Sequence, residues 1–269
     1  MDLKLTGKTA LVTGSTAGIG FGIARRLLQE GVSVVINGRT EARINSALDQ
    51  LRRVIPDCTV QGCAADFADA DAVQHLLDNH DSIDILINNV GIFAPKPFVE
   101  ITDEEWLHFF EVNVLSGVRL SRHYLPQMLD QNWGRIIFVS SESGIQIPAE
   151  MVHYGTTKTA QLGVSRGLAQ QTAGTNVTVN TVIPGSTRSE GSEKFISDLA
   201  QERGLSNKDL DREFFEKIKP TFLLKRFANI DEIATFVAYL VSPLVVVNNG
   251  VPCGLMAILY PQYSDIILN

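Results

Sequence analysis

The sequence has little cysteine, no excess of positive charge and no long apolar segment. Its three cysteines, Cys58, Cys63 and Cys253, form no CxxC pair, which argues against a disulfide framework and against a zinc site. A net charge of −7 disfavours nucleic acid and anionic membrane surfaces as partners. No apolar run is long enough to cross a bilayer, and residues 1–8 lack the apolar core of a signal peptide. We therefore expect a cytoplasmic protein without a metal site, whose partner is a small molecule.

Short apolar runs alternate with helical patterns along the chain. The runs, which are apolar throughout as in strands covered on both faces, are Thr9 to Val12, Ser33 to Asn37, Thr59 to Ala64, Ile83 to Asn88, Arg135 to Ser140 and Asn176 to Ile183. Helices are expected over Gly18 to Glu30, Glu41 to Val54, Asp69 to His80, Asp103 to Asp130, Tyr154 to Thr172 and Asp231 to Val241. This alternation predicts one α/β domain over residues 1–269, with a doubly wound, Rossmann-type parallel sheet and helices on both faces.

A glycine-rich stretch, TGSTAGIG, joins the first strand to the first helix. Such a join directs backbone N–H groups and the positive end of a helix toward one point, which suits a pyrophosphate. Gly14 would permit the turn, Gly18 would allow close approach of the phosphates, and Gly20 would let helix and strand pack tightly. The glycines alone are also compatible with an ordinary tight turn between strand and helix.

Further motifs follow the glycine loop in register. They are Asn88-Asn89-Val90-Gly91, Asn113 within Glu111-Val112-Asn113-Val114, Ser141, Tyr154-Gly155-Thr156-Thr157-Lys158, and Pro184-Gly185. With Ser141 thirteen residues before Tyr154, the set resembles the TGxxxGIG, NNAG, YxxxK and PG motifs of the short-chain dehydrogenase/reductase family. Val90 is the one departure within the NNAG motif. The resemblance extends from about Leu5 to Asn249.

The resemblance implies an enzyme that interconverts a carbonyl group and a secondary alcohol by hydride transfer with a nicotinamide cofactor. Tyr154 would be the acid and base, and Lys158, one helical turn later, would stabilise its tyrosinate. Ser141 would orient the substrate carbonyl, and Asn113 would hold a water that passes protons to Lys158. Ser140 is the alternative to Ser141 as the catalytic serine, and Tyr154 and Lys158 could instead be a surface pair without a catalytic role. The alternative to an enzyme is a catalytically silent NAD(P)-binding regulator or scaffold protein.

The resemblance also implies a set of residues that bind the cofactor. They are Gly14, Ser15, Thr16, Gly18, Ile19, Gly20, Arg39, Asp66, Asn89, Gly91, Tyr154, Lys158, Pro184, Gly185 and Thr187. Gly38 stands where NAD-specific relatives have an acidic residue, and the guanidinium of Arg39 would pair with a 2′-phosphate, so NADP(H) is favoured over NAD(H). Asp66 is expected to contact the adenine amino group, with an N-terminal cap of the following helix as the alternative.

A polar, helix-like insert over Ser189 to Lys219 follows the PG motif, within a substrate lid at about residues 186–226. Its aromatic residues, Phe195, Phe214, Phe215 and Phe222, predict either contact with an apolar substrate or anchoring of the lid to the body. The family resemblance also allows a 3-oxoacyl-like substrate.

The tail, at about residues 250–269, departs from the family. Relatives end with a sequence such as A-L-R-V-D-G-G, and the possible codons for Gly250 to Ala257, read two bases later, allow Gly-Ala-Leu-Arg-Val-Asp-Gly. We therefore hypothesise a shift of reading frame just before Gly250. The run Leu255 to Tyr260 is apolar enough to form a substitute strand. The family resemblance implies a homo-oligomer, either a dimer or a homotetramer.

Overall fold

Nine strands and eight helices appear in the part of the chain described by the computed structural model, which comprises residues 1–190, 193, 197, 200, 201 and 204–255. The strands are β1 (Thr9–Val12), β2 (Ser33–Gly38), β3 (Val60–Ala64), β4 (Ile85–Asn88), β5 (Gly134–Val139), β6 (Val177–Pro184), β7 (Thr187–Arg188), β8 (Ala228–Asn229) and β9 (Pro252–Leu255). The helices are α1 (Gly18–Gln29), α2 (Glu41–Val54), α3 (Ala70–Asn79), α4 (Asp103–Phe110), α5 (Ser116–Asp130), α6 (Val152–Gln171), α7 (Asn207–Glu213) and α8 (Ile230–Leu240).

Seven of these strands form one parallel sheet in the order β3-β2-β1-β4-β5-β6-β9. One apolar cluster packs α1, α2 and α8 on one face through side chains such as Leu27, Ile44 and Val237. A second cluster packs α3, α5 and α6 on the other face through side chains such as Leu76 and Tyr124. The predicted doubly wound sheet with helices on both faces is therefore confirmed, and its strand ends agree with the expected ones to within two residues.

The expected helix from 103 to 130 is interrupted by a π-turn over Glu111–Leu115. The Ser116 N–H bonds to the Glu111 carbonyl five residues earlier, and the Ser116 hydroxyl donates to the Val112 carbonyl at 2.6 Å. A π-turn inserts one residue into a helix and frees backbone groups for other partners. Periodicity does not reveal it, because the apolar pattern continues through the turn.

The lid and the tail differ from expectation in detail. Phe215 and Phe222 are buried with Phe227 and Leu210 in a cluster of their own, and Phe214 packs against it, which favours the anchoring role for these side chains. Phe195 lies outside the described residues. The last strand begins at Pro252, earlier than the expected run from 255, and pairs with β6, while residues 256–260 lie outside the described part.

Two negative findings apply to the described residues alone. None of their helices combines the length and apolarity that a membrane span requires. None of their histidine, cysteine, aspartate and glutamate side chains form a group that could hold a metal ion.

Candidate active site

The glycine loop between β1 and α1 has the backbone conformation that only glycine adopts readily. Gly14 and Gly18 have φ angles of +58° and +60°. A Cβ at Gly20 would lie 2.5 Å from the Gly14 carbonyl and would also collide with the Asn89 amide. The loop therefore folds tightly onto the start of α1 and presents the N-terminal end of that helix, as the sequence predicts.

Two asparagines and a serine hold this loop in place. The Gly14 N–H donates to Asn37 Oδ1 at 3.0 Å, and Asn89 Nδ2 donates to the carbonyls of Thr13 and Gly14 at 2.9 and 3.0 Å. Ser15 is fully buried, and its hydroxyl donates to the Val12 carbonyl and accepts from the Asn37 N–H. The Ser15 side chain therefore shapes the loop, and its contact with the cofactor stays a prediction.

Beside the loop lies a groove of about 300 Å³ at the carboxyl ends of the strands. Its lining includes six of the expected cofactor residues, Gly14, Thr16, Arg39, Asp66, Asn89 and Gly91. Arg43 also lines the groove, and sequence reasoning missed it. It lies four residues after Arg39 at the start of α2, where its own N–H bonds to the side chain of the N-cap, Thr40. A second arginine one helical turn after the first was the available signal.

Gly38 and Asp66 line the part of the groove where the adenosine of the cofactor is expected to bind. A Cβ at Gly38 would lie 2.5 Å from Thr16 Cγ2, so a carboxylate there would crowd the glycine loop. Asp66 accepts a hydrogen bond from the Ala68 N–H within a turn, whereas the N-cap of α3 is Asp69. The alternative assignment of Asp66 as the helix cap is therefore wrong, and its carboxylate lines the groove.

The other expected cofactor residues lie around the same edge of the sheet. Ile19 and Gly20 belong to the first turn of α1, and Gly18 borders a neighbouring depression with Arg188. Pro184 ends β6, and the Gly185 carbonyl accepts a hydrogen bond of 2.8 Å from the Thr187 hydroxyl.

Ser141 lies two residues after the end of β5 and caps the short turn Glu142–Gly144. Its hydroxyl accepts from the Ser143 N–H at 3.1 Å, whereas the Ser140 hydroxyl turns away and donates to the Lys158 carbonyl at 2.8 Å. A Cβ at Gly144 would lie 2.8 Å from the Lys158 backbone, so this loop docks closely on α6. The geometry favours Ser141 over Ser140 as the serine that faces Tyr154.

Tyr154 and Lys158 lie one turn apart on α6, with Lys158 Nζ 5.8 Å from the centre of the Tyr154 ring. Burial raises the pKa of Tyr154, and its hydrogen bond with Ser141 acts in the opposite direction. Lys158 is only 4% exposed, and burial lowers its pKa to about 8. Its Nζ donates to the Val139 carbonyl at 2.9 Å and lies 3.2 Å from where a Cβ at Gly91 would be. The groove and the Tyr154–Lys158 pair therefore meet at Gly91.

Asn113 lies within the π-turn and is buried. Its side-chain Oδ1 accepts from the Ile92 N–H at 2.7 Å, and its Nδ2 donates to the Ile92 carbonyl and to Thr157 Oγ1, each at 3.0 Å. The Asn113 side chain thus holds the segment after β4 against α6. Its part in holding a water stays a prediction.

Sequence reasoning missed Glu142, which is 8% exposed and follows Ser141. Glu142 Oε1 accepts from Lys219 Nζ at 3.0 Å and from Ser186 Oγ at 3.1 Å, and its charge contributes to raising the pKa of Tyr154. This ion pair joins the loop that holds Ser141 to the insert after β6. No motif marks Glu142 or Lys219, because they meet only in the folded chain.

Comparison with protein families and with individual proteins gives consistent results. The family described as short chain dehydrogenase matches residues 8–200. The chain is 45% identical over 250 residues to the uncharacterized oxidoreductase YvaG of Bacillus subtilis, a match that covers 93% of this chain and 95% of that protein. It is 32% identical over 248 residues to the 3-oxoacyl-(acyl-carrier-protein) reductase FabG of Aquifex aeolicus, covering 91% and 94%.

Solved structures extend the likeness to the fold. L-sorbose reductase from Gluconobacter frateurii, complexed with NADPH and L-sorbose, matches with a TM-score of 0.90 and 28% identity, covering 97% of this chain and 99% of that one. An actinorhodin polyketide ketoreductase with NADPH matches with a TM-score of 0.81 and 28% identity, covering 93% and 96%.

Proposed function

The chain belongs to the short-chain dehydrogenase/reductase family and is an oxidoreductase, and we propose that it interconverts a carbonyl compound and a secondary alcohol with NADP(H). The observation that carries the proposal is the junction at Gly91. On one side of Gly91 lies the groove lined by Arg39, and on the other side lies the buried ammonium of Lys158 beside Tyr154.

The groove fits a phosphorylated dinucleotide. The N-terminal end of α1 and the N–H groups of the loop over 14–18 suit a pyrophosphate, while Arg39 and Arg43 suit a further phosphate near the end of β2. Because Gly38 leaves no carboxylate there, nothing at that position repels a 2′-phosphate. NADPH, which two of the similar solved structures hold, is therefore the cofactor we propose.

NADPH would supply the hydride, and residues of this chain would donate the proton that the substrate oxygen needs. In carbonyl reduction, Tyr154 donates its phenolic proton to the substrate oxygen as negative charge develops there. The Ser141 hydroxyl donates a second hydrogen bond to the same oxygen and so orients it. The Lys158 ammonium stabilises the resulting tyrosinate, an effect that burial strengthens because the local dielectric constant is low.

The surroundings of Tyr154 support a substrate with an apolar substituent, which includes a 3-oxoacyl-like compound. The Phe93 ring lies 6.0 Å from the Tyr154 ring and is 62% exposed, and Ile145 and Ile147 are exposed on the loop after β5. Exposed apolar side chains grouped at a candidate active site are typical of a binding surface.

The insert at about residues 186–226 is proposed as a lid within a single domain that spans 1–269. Two of its contacts with the body are made by Glu142, which pairs with Lys219 and accepts a hydrogen bond from Ser186, so the loop that would orient the substrate also contacts the lid.

A panel of carbonyl compounds tests the proposal. Ketones with long and short apolar substituents, a 3-oxoacyl thioester and a keto sugar would be offered with NADPH or NADH, and cofactor oxidation would be followed by absorbance. We expect turnover with NADPH on at least one apolar ketone or thioester. If neither cofactor is consumed although NADPH binds, the chain is a silent NAD(P)-binding regulator or a scaffold instead.

A further inference from the structure

A buried glutamine connects two residues of the candidate active site. Gln161 Nε2 donates a hydrogen bond of 2.6 Å to the backbone carbonyl of Asn113, and Gln161 Oε1 accepts one of 3.4 Å from Lys158 Nζ. Gln161 is 2% exposed and lies three residues after Lys158 on α6. Burying a polar side chain this deeply destabilises the fold unless both the oxygen and the nitrogen of its amide form hydrogen bonds. In Gln161 both atoms do.

The fold determines which end of the amide faces Lys158. A carbonyl oxygen only accepts hydrogen bonds, and an ammonium only donates them, so the Asn113 carbonyl selects Nε2 and leaves Oε1 for Lys158. The Asn113 carbonyl lies in the π-turn Glu111–Leu115, where helical pairing is altered and carbonyls take side-chain partners. The neighbouring Val112 carbonyl likewise accepts the Ser116 hydroxyl.

We propose that Gln161 is a positioning residue that fixes Lys158 and keeps its ammonium charged at neutral pH. The proposal rests on the proposed role of Lys158 in stabilising the Tyr154 phenolate. Gln161 itself touches neither Tyr154 nor the groove in the contacts described above, so it acts through Lys158.

The electrostatic need for such a residue follows from the surroundings of Lys158. Burial lowers the pKa of Lys158 to about 8, close enough to neutrality that loss of an acceptor would discharge part of it. The titratable group beside it is Tyr154 on the same helix, and Glu142, in the turn after β5, acts on Tyr154 and is paired with Lys219. On the π-turn, Glu111 is paired with Arg119 at 2.6 Å. The nearest acceptors for the Lys158 ammonium are therefore uncharged oxygens, those of Val139 and Gln161.

Two substitutions with opposite expected signs test the proposal. Gln161→Leu keeps the volume but removes the acceptor, so the pKa of Lys158 should fall by about one unit, a tenfold change in the ratio of charged to neutral Lys158. Gln161→Glu places a carboxylate beside the ammonium, so the pKa of Lys158 should rise by about one unit or more. The pKa is measured by NMR titration of protein labelled with carbon isotope in lysine, with the Lys158 resonance assigned by its loss in Lys158→Met.

The control is Gln170→Leu, which removes an exposed glutamine from the same helix and should leave the titration unchanged. Equal pKa values in the original protein and in Gln161→Leu, or shifts of the same sign in both Gln161 variants, would overturn the proposal. If Gln161→Leu does not fold, absence of an upward shift in Gln161→Glu overturns it. The titration needs neither substrate nor turnover, so it fails or succeeds independently of the proposed enzymatic function.

Discussion

Arg39 and Arg43 are the two arginine side chains on which the proposed cofactor selectivity depends. Both are exposed at the end of β2 and the start of α2, and both line the groove beside the glycine loop. Exposed arginines contribute little to folding, since surface ion pairs are weak. Their presence at one groove is what the proposed binding of a phosphorylated cofactor would require.

We expect Arg39→Ala to weaken NADPH binding about ten- to hundredfold and to leave NADH binding nearly unchanged, because a charge-assisted contact with the 2′-phosphate is lost. Isothermal titration calorimetry with both cofactors measures this. Arg53→Ala, at the opposite end of α2, is the matched control. Equal losses of affinity for NADPH and NADH would mean that Arg39 supports the loop and does not bind the 2′-phosphate.

Sequence motifs predicted the residues of the candidate chemical centre, whereas the contacts of the residues around them became evident only in the structure. Tyr154 and Lys158 are found by spacing because one helical turn separates them. Gln161 and Glu142 carry no such signal, since their partners, Asn113 and Lys219, come from distant parts of the chain. Tertiary contacts, not local pattern, decide their roles.

At the level of elements, apolar runs and glycine turns predicted the sheet well, and the parallel order followed from the alternation of strands and helices. The π-turn at Glu111–Leu115 was not predicted, because Asn113 within it contacts Ile92, in the segment after β4, and Thr157 on α6. The insert after β6 was predicted as a lid, but the packing of its side chains was not evident from the sequence. Among the described residues, Phe214, Phe215 and Phe222 pack on one another and on Phe227.

The Glu142–Lys219 ion pair is expected to hold the segment 214–222 of the proposed lid against the body. Lys219→Met leaves the buried Glu142 carboxylate without its cation, so opening of the segment 214–222 should become easier by roughly 1–2 kcal/mol, discounted because Lys219 is 24% exposed. Hydrogen–deuterium exchange of that segment should accelerate about tenfold.

Lys217→Met is the matched control, because Lys217 is exposed and its ion-pair partner among the described residues is Glu213, at 3.3 Å within the insert. Exchange that is equally fast in the two variants would show that the Glu142–Lys219 pair does not hold the lid.

For the whole molecule, the outer face of α5 and α6 bears an apolar groove, and assembly of several chains is the expected way to cover it. The groove is lined by Val118, Leu125, Pro126, Leu129, Val164 and Leu168, with three polar residues at its rim. Short strand β9, which begins at Pro252, completes the sheet next to β6 despite the departure of the tail from the family.

Light scattering should give a solution mass that is a multiple of the 29.5 kDa chain. Leu168→Glu should reduce the assembly without unfolding the chain, because it introduces a charge into an apolar interface. Val54→Glu, at a 60% exposed position on the other face, should leave the mass unchanged. A single-chain mass for the original protein would contradict the expected homo-oligomer.

The central claim, that Tyr154 transfers the proton in an NADP(H)-dependent carbonyl reduction, is tested most directly by the rate of NADPH oxidation in Tyr154→Phe. The variant keeps the ring and removes the proton donor, so the rate should fall at least about a hundredfold while the Kd for NADPH stays within about twofold. Tyr239→Phe, at a surface position on α8, should keep the original rate. Retention of most of the rate by Tyr154→Phe would contradict the account.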